Sequence, residues 1–210
     1  MIELLLARHG QTPWHHGNRY AGSSDIGLDD VGRAQAERLA TAMAARGVSD
    51  LAASTLRRAQ DTAKAVTEKT GHTATVLSEL REIGFGVAEG RTLAQMREAL
   101  PGATRAFEAD PVKHHWPNGD DPSDRVREAT TALSDWAAQC GPRPLAIAHS
   151  TMIRLIVCHV LGISLGEYRR RLPRLEPCAV TTLGLSADGT WSLIAYNQSL
   201  GDHDVLRAPR

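Results

Sequence analysis

The fold of this 210-residue chain follows from one stretch, Leu4-Leu5-Leu6-Ala7-Arg8-His9-Gly10-Gln11-Thr12. The apolar run at residues 2–7 predicts a strand buried on both faces, because it is too short to span a membrane and ends near Gly10. Ligands of open α/β sheets sit at the carboxyl ends of strands, so Arg8 and His9 are candidate site residues. A guanidinium matches phosphate or carboxylate, and a neutral imidazole can attack an electrophile or move a proton. Gly10 would let the backbone approach a ligand, although the same residues could form an ordinary surface turn.

The composition excludes several classes of function. The length suits one domain, and 24 basic residues against 24 acidic ones give no net charge. Such a chain has no overall positive field to hold nucleic acid or an anionic membrane, so any anion site must be local. The cysteines, Cys140, Cys158 and Cys178, follow no metal-ligand pattern. Because the sequence shows no signal peptide or membrane span, we expect a cytoplasmic protein. We also expect no metal and no cofactor.

Short apolar runs alternate with segments of helical periodicity along the rest of the chain. The sequence predicts strands at residues 2–7, 48–54, 73–77 and 145–148, helices at 31–46, 93–100 and 125–138, and a hairpin of 179–185 with 191–196 before a frayed tail after Gly201. Two more helices are expected to follow strand ends. We expect Ser54 or Thr55 to cap one of them and Ser150 or Thr151 to cap the other.

Basic side chains are found at three strand ends. Arg57 and Arg58 lie in the first turn of a predicted helix, whose N-terminus is already positive, so an arginine there indicates a nearby anion. One of the two fits that role, and the other could simply face solvent. His149 follows its strand as His9 follows the first strand. Two such histidines with an arginine at a third turn are hard to attribute to chance.

Two segments are predicted to be irregular. Residues 80–90 contain three glycines, and Glu82 and Glu89 stand there among apolar neighbours, an environment that tends to raise a carboxyl pKa. Residues 92–124 contain four prolines and are expected to form an inserted lid over the site. The triplet His114-His115-Trp116 would mainly pack this lid on the body.

Four blocks of residues occur in order along the chain. They are Arg8-His9-Gly10-x-Thr12 with Trp14 and Arg19-Tyr20-x-Gly22, then Ser54-x-Leu56-x-Arg58-Ala59-x-x-Thr62-Ala63, then Leu80-x-Glu82 with Phe85-Gly86 and Glu89-Gly90, and finally Ala148-His149-x-x-x-Ile153-Arg154. Together they resemble the histidine phosphatases, the phosphoglycerate mutase-like superfamily, over almost the full length. The resemblance implies one domain at residues 1–210, built as a three-layer α/β/α sandwich with a mostly parallel central sheet and the lid inserted.

The resemblance also implies roles for particular residues. His9 would be the nucleophile that becomes phosphohistidine, and Glu82 would protonate the leaving alkoxide and then assist water. Arg8, Arg58 and His149 would surround the phosphate. These residue types suit phosphoryl transfer, which needs a nucleophile, an acid and positive charge around three oxygens.

Two places depart from the family pattern. The family usually has an Asn that contacts the phosphate where this chain has His15, so His15 or Asn18 would take its place. Ser150 would be a further phosphate contact. Residues 119–123 read Gly-Asp-Asp-Pro-Ser where many phosphatase relatives carry Gly-Glu-Ser, and this bears on the substrate side of the site.

The resemblance points to a metal-independent phosphomonoesterase of the phosphatase branch, acting on a small phosphate ester and compatible with a homodimer. A phosphoglycerate mutase is the main alternative, although the short lid and Phe85-Gly86 after Glu82 favour hydrolysis. A catalytically silent phosphate-binding module is disfavoured because the site residues are intact. A metallohydrolase is disfavoured because the histidines lack metal-ligand spacing.

Overall fold

The computed structural model describes residues 1–200 and shows an α/β protein built around a six-stranded sheet. The strands are β1 (Ile2–Arg8), β2 (Asp50–Ala53), β3 (Ala74–Val76), β4 (Pro144–Ala148), β5 (Val180–Leu185) and β6 (Trp191–Gln198). The helices are α1 (Asp30–Arg46), α2 (Arg57–Thr70), α3 (Leu93–Ala99), α4 (Pro101–Ala109), α5 (Pro122–Ala137), α6 (Ser150–Val160) and α7 (Tyr168–Arg171). The tail predicted after Gly201 lies outside the described residues.

The sheet is mostly parallel, as predicted. Its strand order is β3-β2-β4-β1-β5-β6, in which the first four strands run parallel and the hairpin of β5 and β6 adds two antiparallel strands at one edge. The antiparallel hairpin expected near the end of the chain is therefore confirmed.

Alternate residues of β1 face two separate cores. Leu4 and Leu6 pack into the core that contains α5 and α6, whereas Leu5 and Ala7 pack into the core that contains α1 and α2. This alternation follows from the period of two in a strand, and it makes β1 apolar along its length. The result is the predicted three-layer α/β/α sandwich.

The register of the parallel strands determines which residues meet at their carboxyl ends. Arg8 of β1 stands beside Ala148 of β4, and Ala53 of β2 stands beside Ile147 of β4. The next residue in each strand is His9, His149 or Ser54, and these three therefore come together at one edge of the sheet.

The inserted segment is more helical than the sequence predicted. We expected residues after 100 to be irregular because of their prolines, but Pro101 occupies the first turn of α4 and Pro122 the first turn of α5. Proline fits there because the first N–H groups of a helix have no partner to lose. Trp116 is buried, stacks on Phe107 of the same segment with ring centroids 4.4 Å apart, and meets Tyr20 of the body edge-on at 5.8 Å, which is the packing role expected of it.

The predicted cap of α2 is wrong. The residue before the helix is Leu56, which has no capping side chain, and the hydroxyl of Ser54 instead accepts the Leu56 N–H at 3.3 Å. None of the helices among residues 1–200 combines the length and apolar character that a membrane crossing requires.

Gly10 lies in close contact with the backbone of α1. A Cβ atom on Gly10 would lie 2.5 Å from the carbonyl oxygen of Gly32, and one on Gly32 would lie 2.0 Å from that of Gln11. The first turn of α1 therefore packs backbone to backbone against the loop that follows β1.

We expect Gly32→Ala to lower the free energy of unfolding by about 1–3 kcal/mol or more, because the new methyl group meets backbone that cannot move aside cheaply. Gly102→Ala in α4 is the matched control, since its Cβ would have no atom within 4 Å. The control should match the wild type or gain up to about 1 kcal/mol in urea unfolding. Equal stability of the two variants would contradict the close contact.

Candidate active site

A cavity of about 300 Å³ opens at the carboxyl ends of β1 and β4. Six of the predicted site residues line it: Arg8, His9, His15, Asn18, Glu82 and Ser150. The other two, Arg58 and His149, are fully buried and lie behind the cavity wall.

His9 has a fixed tautomer at the edge of this cavity. It is 5% exposed, and its Nδ1 lies 2.7 Å from the carbonyl oxygen of Gly10. A carbonyl can only accept, so Nδ1 carries the proton and Nε2 keeps a lone pair. Burial, together with the nearby His149, Arg58 and Arg8, lowers the pKa of His9 well below its usual value. The ring is therefore neutral at neutral pH and has one basic nitrogen.

Two hydrogen bonds hold the Arg8 guanidinium in place. Its Nη1 donates to the carbonyl oxygen of Leu175 at 2.5 Å, and its Nη2 donates to Nε2 of His15 at 2.6 Å. Its Nε is buried and has no partner among the described residues. Burial and the charge of Arg154 lower the pKa of Arg8 to about 10, which leaves the guanidinium charged at neutral pH.

His15 acts as a neutral acceptor. Arg8 donates to Nε2 of His15, and Nδ1 of the same ring lies 3.0 Å from the backbone nitrogen and from Oγ1 of Thr12 and 3.2 Å from its carbonyl oxygen. Burial and the charge of Arg8 lower the pKa of His15 to about 4. His15 therefore orients Arg8 and also presents a ring edge to the cavity.

His149 packs against His9 with ring centroids 5.1 Å apart. Its Nδ1 accepts from Nε of Arg58 at 3.2 Å, so its Nε2 carries the proton and lies 2.8 Å from Oγ of Ser54. Burial and the charge of Arg58 lower the pKa of His149 well below its usual value. This second ring is thus neutral and fixed through both nitrogens.

Arg58 is held by neutral partners. Its Nη1 donates to the carbonyl oxygen of Ser24 at 2.8 Å, and its Nη2 donates to those of Ala21 and Gly22 at 3.0 and 2.9 Å. Carbonyl dipoles orient the guanidinium without cancelling its charge. The neighbouring Arg57 is exposed, which agrees with the expectation that one of the two faces solvent.

Glu82 provides the cap that we predicted for Ser150 or Thr151. Its carboxylate accepts the backbone N–H groups of Thr151 and Met152 at 2.9 and 3.0 Å, and that of Ile83 at 3.0 Å. The residue before α6 offers no side-chain cap. A carboxylate suits this place because a helix N-terminus is positive and has unpaired donors. Glu82 is 4% exposed, and its hydrogen bonds fix it at the cavity wall.

The pKa shift predicted for Glu89 is in the wrong direction. Burial alone would raise its pKa, but hydrogen bonds from the Ser24 hydroxyl and from the N–H groups of Phe85, Ser23 and Gly22 lower it. The carboxylate lies 2.6 Å from Oγ of Ser24. Glu89 therefore organises the loop whose carbonyl groups hold Arg58.

Three arginines of the cavity were not identified as site residues from the sequence: Arg19, Arg154 and Arg169. Arg154 follows Ser150 by four residues on α6, and this spacing could have placed both on one face of the helix. Arg19 and Arg169 come from a loop and from short α7, where no periodic signal exists. Among residues 1–200, no group of three or more His, Cys, Asp or Glu side chains could hold a metal ion.

Comparison with known proteins gives a consistent result. A family model described as histidine phosphatase superfamily (branch 1) matches residues 4–199. A glucosyl-3-phosphoglycerate phosphatase of Mycolicibacterium vanbaalenii is 34% identical over 172 residues, covering 79% of this chain and 76% of the relative. A probable phosphoglycerate mutase of Escherichia coli O1:K1 is 29% identical over 213 residues, covering 100% of this chain and 97% of the relative.

Two solved structures are similar to this chain over most of its length. A mycobacterial glucosyl-3-phosphoglycerate phosphatase in complex with VO3 superposes with a TM-score of 0.86 at 27% identity, covering 95% of this chain and 100% of that one. A protein from Bacillus stearothermophilus superposes with a TM-score of 0.86 at 25% identity, covering 94% and 98%.

Because His9 and His149 are buried, we expect the protein to lose stability in acid. The pKa values of His9 and His149 are lowered, so below about pH 6.5 the unfolded chain binds protons at these rings that the native state does not bind. Each ring should remove about 1.4 kcal/mol of unfolding free energy per pH unit as the pH falls. Urea unfolding measured from pH 7 to pH 4.5 checks this slope.

His15 should contribute to the same slope between its ordinary pKa of 6.5 and its native value of about 4. His15→Asn should therefore flatten the pH dependence by up to one proton. His16→Asn is the control because that side chain is 73% exposed. Identical slopes for the wild type and His15→Asn would mean that His15 does not enter the fold as a neutral ring.

Proposed function

Because this chain belongs to the histidine phosphatase superfamily, we propose that it is a metal-independent phosphomonoesterase that hydrolyses a small phosphate ester through a phosphohistidine on His9. The observation that carries the proposal is the state of His9. It is a neutral ring whose Nδ1 proton is held by the Gly10 carbonyl group, which leaves Nε2 as the basic nitrogen beside the cavity. A neutral imidazole with a fixed tautomer is ready to act as a nucleophile.

In the first step, the lone pair on Nε2 of His9 attacks phosphorus while the bond to the ester oxygen breaks on the opposite side. The electron pair of that bond goes to the leaving oxygen, which takes a proton from the carboxylic acid form of Glu82 and leaves Glu82 as a carboxylate. Arg8 lines the cavity and stabilises the charge on the transferring group. Positioned cations are the main requirement of phosphoryl transfer.

In the second step, water attacks the phosphohistidine and Glu82 takes the proton from that water. The phosphorus–nitrogen bond breaks, the electron pair returns to Nε2, and inorganic phosphate leaves. The three backbone N–H groups bound to Glu82 support this role because they hold the carboxyl group in one place.

Arg58 and His149 act from behind the nucleophile. The Arg58 guanidinium bonds to the His149 ring at 3.2 Å, and that ring packs against His9. Burial, together with the charge of Arg58, keeps both rings neutral, and that charge adds to the positive field at the phosphate. His15, Asn18 and Ser150 complete the proposed phosphate site, since all three line the cavity.

The phosphatase relatives support hydrolysis, and their named substrate, glucosyl-3-phosphoglycerate, is a phosphate monoester of a small metabolite. A mutase is the second candidate, because the relative from Escherichia coli with that name matches along nearly its whole length. Labelled phosphoenzyme separates the two, since a phosphatase passes the label to water and a mutase passes it to monophosphoglycerate.

We also propose that residues 1–210 form one domain, with residues 92–124 as its lid.

His9→Ala should abolish turnover of p-nitrophenyl phosphate and the labelling of the protein by substrate, because the nucleophile is lost. His16→Ala replaces an exposed histidine and should keep both. Samples denatured in detergent at alkaline pH and separated on a gel at alkaline pH measure the label, because the phosphorus–nitrogen bond of phosphohistidine hydrolyses in acid, and nitrophenol release measures turnover. Persistent turnover by His9→Ala would contradict a covalent intermediate on this residue.

Glu82→Gln should slow the first turnover of an alkyl phosphate about 10²–10⁴-fold, because an alkoxide needs a proton to leave. The burst of nitrophenol from p-nitrophenyl phosphate should slow far less, since nitrophenolate leaves without one. Rapid-quench kinetics compare the two substrates. Circular dichroism of the variant controls for the lost cap of α6, and equal slowing on both substrates would count against Glu82 as the acid.

A further inference from the structure

The carbonyl group that orients Arg8 belongs to the segment that connects α7 to β5, residues 172–179. Within this segment, Leu175 accepts a hydrogen bond from Nη1 of Arg8 at 2.5 Å. The backbone of Arg8 meets the same segment, because its N–H donates to the carbonyl oxygen of Ala179 at 3.2 Å and its own carbonyl oxygen accepts the Cys178 N–H at 3.0 Å. The conformation of the connecting segment therefore helps to decide where the Arg8 guanidinium points.

Asn197 of β6 holds the peptide group to which Arg8 donates. The carbonyl group of Leu175 and the N–H of Glu176 belong to one planar trans peptide, so they point in opposite directions. The Glu176 N–H donates to Oδ1 of Asn197 at 2.8 Å. A single peptide group thus binds Arg8 on one side and Asn197 on the other, and each hydrogen bond polarises the amide in favour of the other.

Tyr196, the preceding residue of β6, holds the preceding peptide group of the connecting segment. Its hydroxyl donates to the carbonyl oxygen of Arg174 at 2.5 Å. Burial raises the pKa of this phenol, so Tyr196 keeps its proton at neutral pH and acts as a donor. The peptide groups on both sides of the Leu175 Cα atom are therefore fixed by β6.

The backbone of Asn197 explains how two neighbours of one strand reach the same segment. Successive side chains of a regular strand point to opposite faces of the sheet. Asn197 instead has a φ of 53°, a left-handed conformation that asparagine adopts more readily than most residues. Its amide therefore meets the peptide after Leu175, while the Tyr196 hydroxyl meets the peptide before it.

We propose that Tyr196 and Asn197 are positioning residues for Arg8, which act through the carbonyl group of Leu175. This inference rests on the proposed function, because it assumes that Arg8 stabilises the phosphate transferred to His9. Neither Tyr196 nor Asn197 lines the cavity. Without their hydrogen bonds the Leu175 carbonyl group is free to turn and the guanidinium shifts with it. Phosphoryl transfer is sensitive to such a shift because it depends on positioned cations.

Tyr196→Phe and Asn197→Gly should each lower kcat/KM for p-nitrophenyl phosphate about three- to tenfold, since each removes one hydrogen bond. Glycine tolerates the positive φ at position 197, so this variant removes the acceptor without straining the backbone. Asn197→Asp should stay within about twofold of the wild type, because a carboxylate oxygen can accept the same N–H. Gln198→Gly is the matched control and should keep the wild-type rate, since it places glycine in the same strand at an exposed side chain.

An Arg8→Met background separates positioning from a general loss of structure. The double variant Tyr196→Phe/Asn197→Gly should lower kcat/KM about tenfold or more when Arg8 is present. When methionine replaces Arg8, the same double change should cost less than about twofold, because the group to be positioned is absent. A merely structural role would give the same factor in both backgrounds, and that result would overturn the proposal.

Circular dichroism and urea unfolding check that each variant is folded in the assay, and Tyr196→Phe alone carries the comparison if the double variant is not. Wild-type rates in both Tyr196→Phe and Asn197→Gly would also overturn the positioning role. Turnover that depends on His9 would then leave the proposed function standing, whereas turnover independent of His9 would remove both.

Discussion

The hydrogen-bonded register of β1, β4 and β2 fixes the neighbours at the candidate site. Because Arg8 stands beside Ala148 and Ala53 beside Ile147, the next residues along the strands face one another across the sheet edge. A slip by one residue in any of the three would turn its last side chain to the opposite face. The site thus depends on the same apolar alternation that fills the two cores, and the fold and the site are specified by the same residues.

The protein concentrates positive charge at the candidate site, although the net charge of the whole chain is zero. Arg58 is buried among carbonyl groups, and Arg8 bonds to a carbonyl group and to a neutral histidine. Acidic partners would have stabilised these arginines, but they would also have cancelled the field that a phosphate needs. Burial and the same charges together keep His9 and His149 neutral.

Much of this arrangement could be predicted from the sequence, because its signals are local. Strand ends followed by His9 and His149 are visible as apolar runs that stop at a histidine. The cap on α6 was missed because it comes from Glu82, which is distant in sequence. The helix α4 was missed because proline was taken to interrupt the segment, although proline is well suited to a first turn. The place of Arg169 depends on an aromatic ring from a different segment, Phe107, and periodicity carries no information about that contact.

Glu89 lies outside the cavity, but its influence extends into it. Its carboxylate gathers the N–H groups of Gly22, Ser23 and Ser24, and the carbonyl groups of that same loop hold Arg58. Arg58 in turn fixes the ring that packs on His9. Loss of the Glu89 carboxylate would free the loop that holds the Arg58 guanidinium. The rings of His149 and His9 could then lose their alignment even though every proposed catalytic group is still present.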